Sequence, residues 1–127
     1  MPTAVAALLG SGDYIVKGVH QIEWNATVSG RGNPLSAANM PDKTMTINGV
    51  TTAGGSSRII LEGTNDDPLS ATTAWRTLTS PTDGDLDFTG LPTTGFVKAI
   101  RENPRYIRPF FQIVTTNSTL NVIIISR

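Results

Sequence analysis

The feature that most restricts this chain is a period-two alternation of apolar and polar residues that Gly, Pro, Asn or Asp repeatedly cuts short. The clearest case is Ile59-Ile60-Leu61-Glu62-Gly63-Thr64-Asn65-Asp66-Asp67-Pro68, followed by Trp75-Arg76-Thr77-Leu78. Strand side chains alternate faces, so Ile59 and Leu61 point one way and Ile60 and Glu62 the other. Gly63 and the Asn-Asp-Asp-Pro run stop the strand, because these residues favour turns and Pro cannot donate to a ladder. Trp75 and Leu78 open the return segment, and strand, acidic corner and return make one hairpin beside which the other strands can be laid.

The rest of the chain reads in the same way. Tyr14, Val16, His20, Ile22, Trp24, Ala26 and Val28 share one parity, which predicts a long or bent strand, or two joined at Gly18, with Trp24 facing the core. Ser29 to Lys43 is loop chemistry without a period, and a loop of this length usually serves a partner or a function. Met45 and Ile47 mark a short strand, and Thr51 to Ser57 a turn. Pro81-Thr82-Asp83-Gly84 turns the chain into 85–89, with Leu86 and Phe88 inward and both Asp outward. Strands then follow at 96–100, 106–116 and 120–126, with a charged corner at 101–105 and a turn at Asn117-Ser118. About eight strands and no helical spacing longer than a turn predict an all-β fold, a jelly roll or β-sandwich of antiparallel strands in a single domain. Residues 1–12 read as an N-terminal arm or first strand and 13–127 as the sandwich.

Size permits this: 127 residues suit one domain with one core. The start, Met1 to Leu9, has no basic region and only a short apolar run, so it reads as a mature N-terminus rather than a signal peptide. No run approaches the ~20 apolar residues of a membrane helix. Ten Lys and Arg balance ten Asp and Glu, which argues against a nucleic-acid binder. With no Cys there are no disulfides or thiolate metal sites, and a single His leaves one possible base for a Ser-His-acid arrangement. His20 lies on the apolar parity of its strand, where a satisfied His is the simpler reading.

The remaining motifs carry little chemistry. Asp83-Gly84-Asp85-Leu86-Asp87 alternates carboxylates as a calcium loop does, but it lacks the helix-loop-helix setting and the closing Glu, so a turn and a solvated strand face explain it better. Asn65-Asp66-Asp67 reads as a turn bonding its own backbone. Arg101, Arg105 and Arg108 surround Pro104; they can grip a partner's carboxylates, and the simpler readings are a clamp to Glu102, Asp66 or Asp87 within the chain or plain solvation. The Gly-Ser-Gly and Gly-Arg-Gly runs precede no helix, which leaves no phosphate loop, and the Asn25 and Asn117 acceptor patterns are common by chance in a Thr-rich chain.

"LEGTNDDP…WRTLTSP" followed by "ENPRYIRPFF" resembles the small jelly-roll proteins with which tailed bacteriophages decorate, or cement, the outside of their capsids. The likeness covers roughly residues 56–127. The spacing "EG-[ST]-ND…W…L…RYIR" also resembles discoidin-like sugar- and lipid-binding modules, which share the sandwich. The first resemblance implies a structural virion protein on the capsid exterior, made in the host cytoplasm, that bridges major capsid protein subunits. The expected partners are the major capsid protein and further copies of the chain, as a dimer or trimer, with no cofactor, metal, nucleic acid, membrane or catalysis. The alternatives are a discoidin-like carbohydrate-binding module, for which this chain offers few aromatic platforms, and a tail or neck subunit of the same fold.

Two strands carry apolar residues on both faces. Val122 and Ile124 oppose Ile123 and Ile125, and Phe111 and Ile113 oppose Tyr106 and Phe110. Either the chain covers its own second faces or a partner does. The last strand is also a candidate for a sheet edge. The partner contacts expected on this reading are Val5, Leu8 and Leu9 in the arm, Arg31, Leu35 and Met40 in the long loop, and Ile123 and Ile125 in the last strand.

Overall fold

A computed structural model turns the alternation into thirteen β-segments among the described residues. It describes residues 14–18, 21–38, 40, 42–49, 57–89, 95–114 and 119–126, among which there is no helix. In chain order the segments are β1 (Tyr14–Gly18), β2 (Gln21–Ala26), β3 (Gly30–Arg31), β4 (Leu35–Ser36), β5 (Lys43–Gly49), β6 (Arg58–Thr64), β7 (Arg76–Thr77), β8 (Thr79–Ser80), β9 (Gly84–Asp85), β10 (Asp87–Thr89), β11 (Phe96–Ile100), β12 (Tyr106–Ile113) and β13 (Leu120–Ser126). One sheet runs β1-β2-β13-β5-β11. The other runs β10-β6-β12-β3, with β4 also paired to β12 and β7 to β6, and β8 and β9 form a small hairpin of their own.

This order is that of a jelly roll. Taking β3 and β4 as one interrupted strand, and leaving aside β1 and the segments β7 to β9, eight principal strands remain. The first, eighth, third and sixth form one sheet, and the fifth, fourth, seventh and second form the other. Trp24, Met45, Ile47, Val122 and Ile124 from the first sheet meet Ile59, Leu61, Ile107 and Phe111 from the second in one buried cluster. Each such side chain contributes about 1.5–3 kcal/mol when removed from water, so the inward parity of the long strands is the main force holding the sheets together.

One alternative is settled and two expectations change. Of the two readings of the stretch from Asp13 to Val28, it is the pair of strands broken at Gly18 that forms: β1 folds back on β2 as an antiparallel pair, with Tyr14 opposite Trp24 and a register shift between Val16 and Gly18. Val16 is consequently exposed although it shares the parity of the core residues. The long loop 29–43 is not structureless. Gly30 and Arg31 pair with Phe111 and Phe110, and Leu35 and Ser36 pair with Ile107 and Tyr106, so the loop runs along β12. Finally, β13 is not an edge strand. It lies between β2 and β5, fully paired on both sides, because jelly-roll closure inserts the last strand between the first and third.

The 58–64 and 76–77 hairpin forms as expected, with Glu62 opposite Thr77 and Gly63 opposite Arg76. Its corner bonds its own backbone: Asp66 N–H donates to Thr64 Oγ1, Asp67 N–H to Asp66 Oδ1, and Leu69 N–H to Asp67 Oδ1. Asn65 Oδ1 accepts the Arg105 N–H at 2.9 Å, which ties this corner to the start of β12.

Candidate functional site

Two surfaces of the sandwich stand out, one aliphatic and one polar. The aliphatic surface is the outer face of the five-stranded sheet. Register places Glu23, Ile123, Thr46 and Val97 in one row and Gln21, Ile125, Thr44 and Ala99 in the next. Val97 is 60% exposed and Ile125 37%, Ala99 is exposed and Ile123 half-buried. Beside this strip lies an amide row. Asn48 Nδ2 donates to Asn121 Oδ1 at 2.8 Å, Asn121 Nδ2 to Asn25 Oδ1 at 2.9 Å, and Asn25 Nδ2 to Glu23 Oε2 at 2.9 Å. Each amide satisfies the next, so this part of the face is rigid and its polar groups are already engaged.

The polar surface lies on the outer face of the second sheet. Arg108 stands opposite Glu62 in the β12–β6 register, and its Nε donates to Glu62 Oε1 at 3.0 Å. Arg31, opposite Phe110 on β3, brings its Nε within 3.7 Å of the same oxygen. Both guanidinium groups lie over aromatic rings: Arg31 is 3.9 Å from the Phe110 ring centre and Arg108 is 3.8 Å from that of Trp75. Burial pulls Arg108 below its ordinary pKa, Glu62 opposes that, and the neighbouring charge of Arg31 adds to it. An open cleft of about 450 Å³ runs between these groups, lined by Arg31, Glu62, Ser70, Thr73, Trp75 and Arg108.

The expected contact residues divide between these surfaces and the interior. Val5, Leu8 and Leu9 lie outside the described residues. Leu35 and Met40 are 7% and 8% exposed and belong to the core cluster. They anchor the 29–43 segment inward and offer almost no side-chain surface to a partner, a correction that for Leu35 follows from β4 pairing with β12. Arg31 lines the polar cleft, and Ile123 and Ile125 lie on the aliphatic face. Sequence reasoning passed over Glu62, Trp75, Arg108 and Phe110 as a group. The signal for part of it was present, since Tyr106, Arg108 and Phe110 share one parity of β12. Trp75, which opens the return segment of the hairpin, is half-buried and capped by Arg108.

The other polar clusters are engaged within the fold. Asp87 takes a bidentate pair from Arg58, at 2.8 Å from Nε and 2.6 Å from Nη2, and Asp83 pairs with Lys98 at 3.1 Å. The 83–87 carboxylates are thus held apart, and no group of three or more His, Cys, Asp or Glu among the described residues is arranged to hold a metal ion. Glu102 accepts from the Thr79 N–H at 2.8 Å and the Thr79 hydroxyl at 2.5 Å. Lys43 is buried, donating its Nζ to the Met40 carbonyl at 2.7 Å and to Asn103 Oδ1 at 2.5 Å; burial lowers its pKa, while Asp42 and Glu102 oppose the shift. Of the three arginines around Pro104, only Arg108 is clamped to a carboxylate among the described ion pairs, and its partner is Glu62 rather than Glu102, Asp66 or Asp87.

These carboxylates give the fold an acid limit. The Arg58 hydrogen bonds hold Asp87 below the ordinary value of 3.8. Burial alone would raise Glu102, but the hydrogen bonds from Thr79, a further backbone bond and the charge of Arg101 leave it below the ordinary 4.5. A carboxyl whose folded pKa is depressed adds stability above its unfolded pKa and loses it as pH falls through the folded value. Denaturant midpoints should therefore be flat from neutral pH to about pH 5 and fall steadily below about pH 4.5. Asp87→Asn should make that acid slope shallower; an unchanged slope would remove Asp87 from the account.

No family model matches the chain, and no curated protein does. Among solved structures the chain is similar to the crystal structure of SPBc2 prophage-derived protein YomS, with a TM-score of 0.52 and 18% sequence identity over 87% of this chain and 99% of that one. At that identity the likeness is one of fold.

Proposed function

We propose that the chain is a non-enzymatic structural virion protein of a bacteriophage, which binds the outer surface of the capsid and stabilises it by bridging major capsid protein subunits. The observation that carries this reading is the aliphatic outer face of the five-stranded sheet, where Val97, Ala99, Ile123 and Ile125 lie in adjacent rows beside an amide ladder that is already satisfied. Such a face is suited to association through apolar burial. A net formal charge of zero adds little long-range repulsion between closely packed copies. Two further points support a phage origin: the resemblance of residues 56–127 to capsid decoration proteins, and a fold shared with a prophage-derived protein.

The test is co-sedimentation of the purified chain with capsids, with copy number measured. A stoichiometry matching the capsid lattice supports decoration; a few copies per particle would move the protein to the tail or neck. A Val97→Asp, Ile125→Asp double variant should keep its melting temperature within a few degrees, since both side chains are exposed, yet bind capsids at least about tenfold more weakly. Undiminished binding would show that this face is not the contact.

A further inference from the structure

We propose that the cleft between β3, the 70–75 loop and β12 is a receptor for a carboxylate side chain of the protein on which this chain mounts; this rests on its being an assembly subunit. The first argument is a local charge count. Arg31 and Arg108 both approach Glu62 Oε1, so one carboxylate is shared between two guanidinium groups and the cleft keeps an excess positive charge. The two cations are not held alike. Arg108 and Glu62 are 15% and 12% exposed and hydrogen-bonded, whereas Arg31 is 50% exposed and its 3.7 Å approach is too long for a hydrogen bond. Arg31 is therefore positioned by the Phe110 ring beneath it more than by Glu62, and retains donors for an incoming acceptor.

The second argument concerns what the aromatic rings can do. A sugar site uses open ring faces as stacking platforms, but Phe110 and Trp75 each have a guanidinium over one face. The Phe110 ring 3.9 Å from its guanidinium carbon supports Arg31 from one side, and a planar fork so supported can accept a carboxylate through paired N–H donors. The cleft thus favours an Asp or Glu side chain on a protein surface over a neutral saccharide. Because the chain is neutral overall, the attraction is local and should be screened within about a Debye length, ~8 Å at physiological salt.

The test uses the full chain and a soluble probe, a blocked glutamate-rich peptide, with the same peptide in glutamine form and free glucuronate as comparisons. Arginine Nε–H resonances should shift saturably for Arg31 and Arg108 with the glutamate peptide, weaken severalfold in high salt, and not move with the glutamine peptide. Arg31→Gln should abolish the response at unchanged melting temperature; Arg108 is unsuitable for this because its removal strands the half-buried Glu62. In parallel, Arg31→Glu should weaken capsid association at least about tenfold at low salt. No shift with the glutamate peptide overturns the proposal, as does a response to glucuronate alone. If the peptide binds but capsids do not, the receptor stands and the capsid reading fails. If capsids bind wild type and Arg31→Glu alike and the peptide is silent, the receptor fails and the capsid reading stands.

Discussion

Replacing Trp24 by Ala should lower the unfolding free energy by about 3–5 kcal/mol, the usual cost of emptying a fully buried aromatic site. Trp24 is fully buried in β2, its ring meets Tyr14 edge-on at 5.5 Å between centroids, and its Nε1 donates to the Asn33 carbonyl at 3.2 Å. Three links are lost together: the core packing, the Tyr14 ring contact between β1 and β2, and the hydrogen bond that ties the 29–43 segment to β2. Against a total of about 5–15 kcal/mol, the loss should lower the melting temperature by on the order of 10–25 °C. Trp24→Phe keeps much of the volume but loses the indole donor, and should recover more than half of the loss. Thermal or denaturant unfolding decides the matter. A cost under about 1 kcal/mol for the Ala variant would mean that the two sheets are not packed around this ring.

Gly95→Ala should cost about 2–4 kcal/mol, far more than an exposed loop substitution normally does. Gly95 has φ +71°, where an L side chain pays about 1–2 kcal/mol. A Cβ there would also sit on the carbonyl oxygen of Ile47, with Asn48 Oδ1 at 3.0 Å and Asn48 Cα at 3.1 Å. No rotamer change relieves an overlap with a backbone oxygen, so the entry of β11 must move, and with it the Phe96–Ile47 pair that begins its ladder with β5. Gly84 is the internal control. It has nearly the same φ, +73°, at the start of β9, but nothing lies within 4 Å of an added Cβ. Gly84→Ala should therefore cost only the conformational part. Equal costs for the two variants would show that the close approach at Gly95 is not what matters. Hydrogen exchange at β11 should rise in Gly95→Ala and stay unchanged in Gly84→Ala.

Much of this architecture could be read from residue order. Period-two alternation fixes which face of a strand is inward, because side-chain direction is a local consequence of the pleat. Leu86, Met45, Ile47, Ile59 and Leu61 are accordingly buried as the pattern requires. The turn at 81–84 and the self-bonded corner at 65–67 were legible for the same reason, since Gly, Pro, Asn and Asp act on their own backbone. Local pattern did not say which strand lies beside which. Ile123 and Ile125 gave notice of a second apolar face, but only the sheet order shows that β13 is the middle strand and that this face continues onto Val97 and Ala99 of β11. Leu35 and Met40 sit in a segment whose loop composition suggested a surface, yet both are buried, Leu35 through the pairing of β4 with β12. The polar cleft was the least visible feature. Arg31, Glu62, Trp75 and Arg108 are separated by up to 77 positions and meet only because β3, β6 and β12 are neighbours. The chain's own chemistry thus determined strands, turns and inward faces, all set within a few residues. Tertiary structure decided adjacency, which depends on how distant strands close into two sheets, and it is adjacency that assembles both candidate surfaces.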